Sequence, residues 1–294
     1  MKCLLRKKKT IMARDFTLAE AKRQYDKEAK NLLSYRCIIA YLLKYCTVEF
    51  SGFSLGEINR CLGGKGTELS GDGKIQHVNS KDNLPGLVPI EFDLRFNVVT
   101  PFGTILQLDL EPQKEKPSDA VLKNRGCYYC SRMISSQSNT VFEKDNYQDI
   151  QTVYSIWIVM DGGSRVNTIE KYVMQNVNNK DDVLSLVNLI YIYIGEAKQE
   201  GISVIQQLLD TIHSATTMTI EEIIVSLENQ FQIRMTKEMK EVVTNMCNFS
   251  DAIEEKTLRK VASNLFAMHT PLEVIAQVLE ITVEKVKELL DDKV

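Results

Sequence analysis

Two spacings of apolar residues divide the chain. They alternate with polar residues around Glu91 to Glu111, and elsewhere recur every third or fourth position over long stretches. Phe16 to Cys46 reads as a helix, with Thr17 as N-cap and Glu20 at the capping-box spacing. Its second half, LLSYRCIIAYLLKYC, is apolar nearly all round and predicts burial. SLGEINRCL predicts a short helix capped by Ser54, with Glu57 in its first turns. GGKGTELSGDGK, from Gly63 to Lys74, is Gly-rich but lacks the GK[ST] ending of a phosphate-binding loop, so it reads as a connector. EFDLRFNVV and TILQLDLE predict two strands around TPFG. SDAVLKNRGCYYCSRMISSQ predicts a helix capped by Ser118, and TVYSIWIVM a buried strand ended by DGGS. NTIEKYVM and LSLVNLIYIYI predict two more strands. Beyond Gly195 the pattern is a series of amphipathic helices. The organisation expected is a flexible N-terminus over 1–14, an α/β domain over 15–196 and a helical domain over 197–294, with no internal repeat.

The first two strands carry the candidate chemistry. Asp93, Arg95 and Asn97 share one face of their strand, and Leu94, Phe96 and Val98 the other. Gln107, Asp109 and Glu111 oppose Leu106, Leu108 and Leu110 in the same way. Apolar must lie beside apolar, and a loop of Pro101-Phe102-Gly103 then sets Asn97 opposite Gln107, Arg95 opposite Asp109 and Asp93 opposite Glu111. Opposed Cβ atoms stand about 4.5–5.5 Å apart, so two carboxylates there repel unless something binds them. Hard oxygen ligands suit Mg²⁺ or Mn²⁺. Arg95 is the expected partner of Asp109, which leaves Asp93 and Glu111 as the metal pair. A polar sheet face carrying solvated acids fits the same alternation. Pro112 cannot donate to a ladder, so the strand should end or become an edge there, with Glu111 and Gln113 at its terminus. By strand parity Lys114 points to the opposite face. On the next helix Arg125, Tyr129 and Arg132 lie at i, i+4 and i+7. They either grip a phosphate backbone or lock the helix onto the acidic face, with Arg125 screening Glu111.

Composition narrows the picture. Hydrophobic residues make up 44% and charged residues 26%, as in ordinary globular chains. Lys+Arg 36 against Asp+Glu 39 gives −3, so a nucleic-acid surface must be a local patch. Seven scattered cysteines read as reduced thiols of a cytoplasmic protein. Cys127-x-x-Cys130 has no second pair, and His77, His213 and His269 lie elsewhere, so the two read as packing residues rather than zinc ligands. No apolar run approaches the roughly 18 residues of a membrane span. MKCLLRKKKTIMA has its charges after its apolar piece, the wrong order for a signal peptide, and Met12 is an alternative start. TPLEVIAQVLEITVEKVKELL predicts two helices around a turn. The second mixes Glu284 and Glu288 with Lys285 and Lys287, which suits packing or homo-oligomerisation better than reading a DNA groove.

An acid on one strand, an acid-x-polar tripeptide on the next, then a helix and a strand is the PD-(D/E)xK nuclease arrangement. FDLRF, LQLDLEPQKE, KNRGCYYCSRMISSQ and YQDIQTVYSIWIV together resemble the Rpn-type recombination-promoting nucleases, also called PD-(D/E)xK family transposases. Members of that family carry a Y/F-D-x-R-F strand, a hydrophobic strand ending in E-x-Q, an Arg-x-x-x-Tyr helix and a K-V-Y-S-I-W-I-like strand. EAKNLLSYRCIIAYLLKYCTVEF, SLGEINRCL and the helical end are similar to the family's remaining parts, so the resemblance spans nearly the whole chain. It implies a restriction-endonuclease-like mixed sheet flanked by helices, and a metal-dependent DNA endonuclease using Mg²⁺ or Mn²⁺. Asp93 and Glu111 match the metal-binding acids, Gln113 stands where other nucleases of this fold have lysine, and Glu57 matches an acid some members use to assist. Glutamine brings no positive charge. The other function class this leaves open is a non-catalytic nuclease-fold protein that binds DNA or another protein.

Overall fold

The structure is a computed structural model describing residues 16–63, 67, 69–71, 73–76, 81–83, 86–113, 117–160, 167–195, 203–213 and 218–290. The expectations for 1–14, for DGGS and for a boundary near 196 fall outside the described residues, as does part of the Gly-rich connector.

The chain forms two compact units, with the boundary inside the first helix. One unit takes residues up to 28, 218–226 and 235–290 of the described chain; the other takes 29–213 and 227–234. Helix α5 (Val204–His213) and the segment 227–234 belong with the sheet, and the first turns of α1 (Leu18–Leu33) belong with the C-terminal helices.

The expected helix over Phe16 to Cys46 is two helices, α1 and α2 (Arg36–Cys46). Thr17 and Glu20 form the predicted reciprocal cap. The break has a backbone cause. Ile75 N–H donates to Ser34 O at 2.8 Å and Arg36 N–H to Gly73 O at 3.2 Å, and Tyr35 is extended to make that bridge. Helix α3 (Leu55–Cys61) is capped by Ser54 as predicted.

A two-stranded ribbon, β1 (Lys81–Asp82) with β2 (Ile90–Glu91), precedes the main sheet. That sheet has five strands: β3 (Leu94–Val99), β4 (Ile105–Gln113), β5 (Thr152–Val159), β6 (Thr168–Gln175) and β7 (Val183–Tyr193), in the order β3-β4-β5-β7-β6. The pairs β4/β5 and β5/β7 are parallel and the two edge pairs antiparallel, so the sheet is mixed. Helix α4 (Asp119–Ser135), capped by Ser118, makes the crossover from β4 to β5 and covers one face. Trp157, Val153, Tyr191 and Tyr193 pack there against Leu122, Cys130 and Met133. On the other face Phe96, Leu108, Leu110 and Ile156 meet Ile39, Leu42 and Leu43 of α2. The overall class is mixed α/β with flanking helices and a helical C-terminal part.

After α6 (Ile220–Asn229), the helical unit is organised by α7 (Lys237–Ala267), capped by Thr236. Its last turns pack Ala262 against Ile275, Ala276, Val286 and Leu290 of α8 (Leu272–Val278) and α9 (Val283–Leu290). The packing residues of this hairpin face inward in the way its apolar spacing predicts. No helix among the described residues is long and apolar enough to cross a membrane.

Candidate active site

The hairpin register follows the parity argument. Arg95 pairs with Asp109 and Asn97 with Gln107, which leaves Asp93 opposite Glu111 one step beyond the last ladder pair. The turn closes on Thr100 and Thr104, with Gly103 at φ +86°, a value that favours glycine. Strand β4 extends to Gln113. Gln113 O accepts from Met160 N–H on the β5 side, and directions alternate, so the Pro112 backbone points toward β3. Pairing with β3 has ended at Leu110, and β4 is an edge on that side alone.

The polar face of the hairpin is not solvated. Asp109 stands beside Ser155, and Glu111 beside Trp157, in the β4/β5 register, which puts the acids on the face that α4 covers. Asp109 is 0% exposed and Glu111 2%. Burial first, and then the charges of Asp109 and Asp93, push the Glu111 carboxyl well above the usual range; burial does the same to Asp109. Glu111 Oε1 accepts from the Asp93 backbone N–H at 2.8 Å. Asp109 Oδ2 accepts from Ser155 Oγ at 3.0 Å, and Ser155 Oγ in turn accepts from Trp157 Nε1 at 2.9 Å. Asp109 Oδ1 is buried with no hydrogen-bond partner among the described residues. The Glu111 side chain lies within hydrogen-bonding reach of Asp109.

The expected Arg95–Asp109 pair is not formed. Arg95 Nη2 donates to Gln107 Oε1 at 3.2 Å and Ser136 Oγ at 2.8 Å, with its guanidinium 5.0 Å from the centre of the Phe92 ring. The neighbouring aromatic surface and α4 hold it aside, so Asp109 joins the acids instead of being neutralised. The signal available in the sequence was Ser155, a single hydroxyl inside the apolar run TVYSIWIV, which demands a buried polar partner.

Asp93 is half-buried at the open end, and its Oδ1 accepts from Lys30 Nζ of α1. No local pattern marks Lys30, since 63 residues separate the pair. Gln113 Oε1 accepts from Arg125 Nη1 at 3.2 Å, so Arg125 positions the amide at the strand end. The same guanidinium lies over Trp157, 5.0 Å from its ring centre, and at 5.9 Å from Tyr129. Tyr129 packs between Phe92 and Trp157. Of the two readings of this helix face, Arg132 takes the locking one. It is 2% exposed, its Nε donates to Asp82 Oδ2 at 2.7 Å and its Nη1 to Val88 O at 2.8 Å, so it fastens α4 to the ribbon and presents no charge to a phosphate. Glu57 is not brought to the acids. Its carboxylate accepts from Ser54 N–H and Oγ, which hold its pKa below the usual range, and the charges acting on it are Arg60 and Lys44. Lys114 lies outside the described residues.

No protein-family model, curated protein or solved structure matches this chain. Among the described residues no group of three or more His, Cys, Asp or Glu side chains is arranged to hold a metal ion. Cys130 is buried in the core and Cys127 exposed one turn earlier on α4. What the donor set offers is two carboxylates, Asp93 and Glu111, joined by a backbone hydrogen bond, with the uncompensated Asp109 oxygen beneath. That fits Mg²⁺, which is commonly held by one or two carboxylates and keeps several waters.

Proposed function

We propose that this protein is a metal-dependent nuclease of the PD-(D/E)xK kind, hydrolysing phosphodiester bonds in DNA. The observation that carries the reading is the burial of Asp109 and Glu111 beside Asp93 with no cation paired to the two inner acids among the described residues. Desolvating two adjacent carboxylates is costly, and a fold that tolerates it commonly does so at a functional site. Asp93 and Glu111 would hold Mg²⁺ or Mn²⁺, which when bound lowers the pKa of water and neutralises charge on a phosphate.

The chain's own residues supply the rest. Ser155 and Trp157 fix Asp109, which stands under Glu111 and holds its carboxyl in place. Gln113 hydrogen-bonds the attacking water or a phosphate oxygen, and Arg125 keeps its amide aimed along the strand end. Phe92, Tyr129 and Trp157 exclude water from the inner side of the acids. Glu57 acts at its own helix cap, outside this group.

Plasmid cleavage by the purified protein with Mg²⁺, Mn²⁺ or EDTA tests the reading. Metal-dependent nicking lost in both Asp93→Ala and Glu111→Ala is the expected result. A second reading, a nuclease-fold protein that binds DNA without cutting it, is favoured by the Lys30–Asp93 ion pair, which occupies one of the two metal ligands. Intact plasmid throughout, from folded protein that still retards DNA, would select it.

A further inference from the structure

Taking phosphodiester hydrolysis as the reaction, we infer that Lys30 supplies the catalytic positive charge that Gln113 does not carry, contacting the scissile phosphate from α1. The acids form a line from solvent inward. The Lys30 side chain is 39% exposed, that of Asp93 20%, and Glu111 and Asp109 are buried. Lys30 therefore stands at the mouth, its ammonium already against the outermost acid. The arginines near the face are committed elsewhere: Arg95 to Gln107 and Ser136, Arg125 to Gln113 and the Trp157 ring, Arg132 to Asp82. Of these four described cations, Lys30 is the one that pairs with a proposed metal ligand, Asp93. Its four-carbon stem lets the ammonium swing from Asp93 to a neighbouring oxygen without moving the helix.

Hydrolysis then balances simply. The water oxygen forms a new P–O bond, one ester P–O bond breaks, and a proton from the water ends on the departing oxygen. Negative charge gathers on the non-bridging oxygens as the bond forms, and Lys30 faces it. Before DNA arrives the same ammonium sits against Asp93.

Lys30→Gln and Lys30→Arg separate this role from a purely local one. Duplex DNA binding is measured by fluorescence anisotropy against salt in EDTA, and plasmid cleavage in Mg²⁺, with thermal melts of each variant. Lys30→Gln should make the salt dependence about one unit shallower, as expected for one lost phosphate contact, and slow cleavage by roughly 10²-fold or more, the usual effect of removing one transition-state contact. Lys30→Arg should restore the salt slope and most of the rate. An unchanged slope with cleavage within about threefold of the parent would overturn the assignment, leaving Lys30 as a counter-ion of Asp93 only. Loss of melting temperature in Lys30→Gln that Lys30→Arg also shows would overturn it in favour of a structural role. A wild-type protein that binds DNA and never cuts it would overturn hydrolysis itself, whatever Lys30→Gln does to the salt slope.

Discussion

At the scale of single residues, the informative feature is a pair of carboxyls kept out of water. Burial raises both Asp109 and Glu111, so in the absence of a divalent ion the native protein holds protons that the unfolded chain releases. The stability this lends is complete below the ordinary carboxyl values of 3.8 and 4.5 and is lost as pH rises through the raised native ones. Urea unfolding in EDTA should therefore show stability falling from just above the ordinary carboxyl values up to about pH 10, where Glu111 loses its proton, by at most roughly 1.4 kcal/mol per pH unit for each proton retained. Glu111→Gln removes one titrating group and should flatten that slope; a slope as steep as the parent's would show that other groups dominate. Mg²⁺ should stabilise the parent more at the alkaline end, where no proton competes for the ligands.

At the scale of elements, the site depends on how closely α4 lies on the sheet. Gly126 marks the contact. A methyl there would overlap the Tyr191 hydroxyl and Leu189, and the Tyr191 hydroxyl donates to Leu122 O at 3.0 Å, so neither wall yields freely. Alanine would gain about 0.5–1 kcal/mol in helix propensity. Overpacking costs about 1–3 kcal/mol, and we expect it to win. Gly126→Ala should lower the urea midpoint and weaken DNA cleavage together, because the same helix carries Arg125 to Gln113. A more stable, fully active Gly126→Ala protein would show that α4 has room to lift. The conformational demand on Gly103 is separate, arising from its positive φ in the turn.

At the scale of the whole molecule, sequence order and spatial grouping diverge. Leu227, Phe231 and Ile233 are buried, and Tyr41 of α2 donates to Phe231 O at 2.6 Å, so the sheet unit reaches past residue 196 to claim 227–234. A fragment of residues 29–234 should melt cooperatively by circular dichroism. One of residues 29–196 should lose that transition, since it strips α5 and the Phe231 segment from the apolar face of α2. Equal cooperativity in the two fragments would favour a boundary near 196. The hairpin of α8 and α9 stays with the helical unit in either case.

The sequence by itself determined the five strands of the main sheet and the pairing of β3 with β4. Helix caps at Thr17, Ser54 and Ser118 are local chemistry, and register in a hairpin follows from turn length and the parity of apolar positions. It also placed Asp93, Glu111 and Gln113 together at one end of adjacent strands. Only the tertiary structure decided that their face is buried, because alternation shows which side chains share a face and not what covers it. The break at Tyr35, the turning of Arg95 from Asp109 to Gln107, the use of Arg132 on Asp82 and the meeting of Lys30 with Asp93 are likewise contacts across long stretches of chain. Such contacts are set by how helices land on the sheet, and no spacing within one segment encodes them.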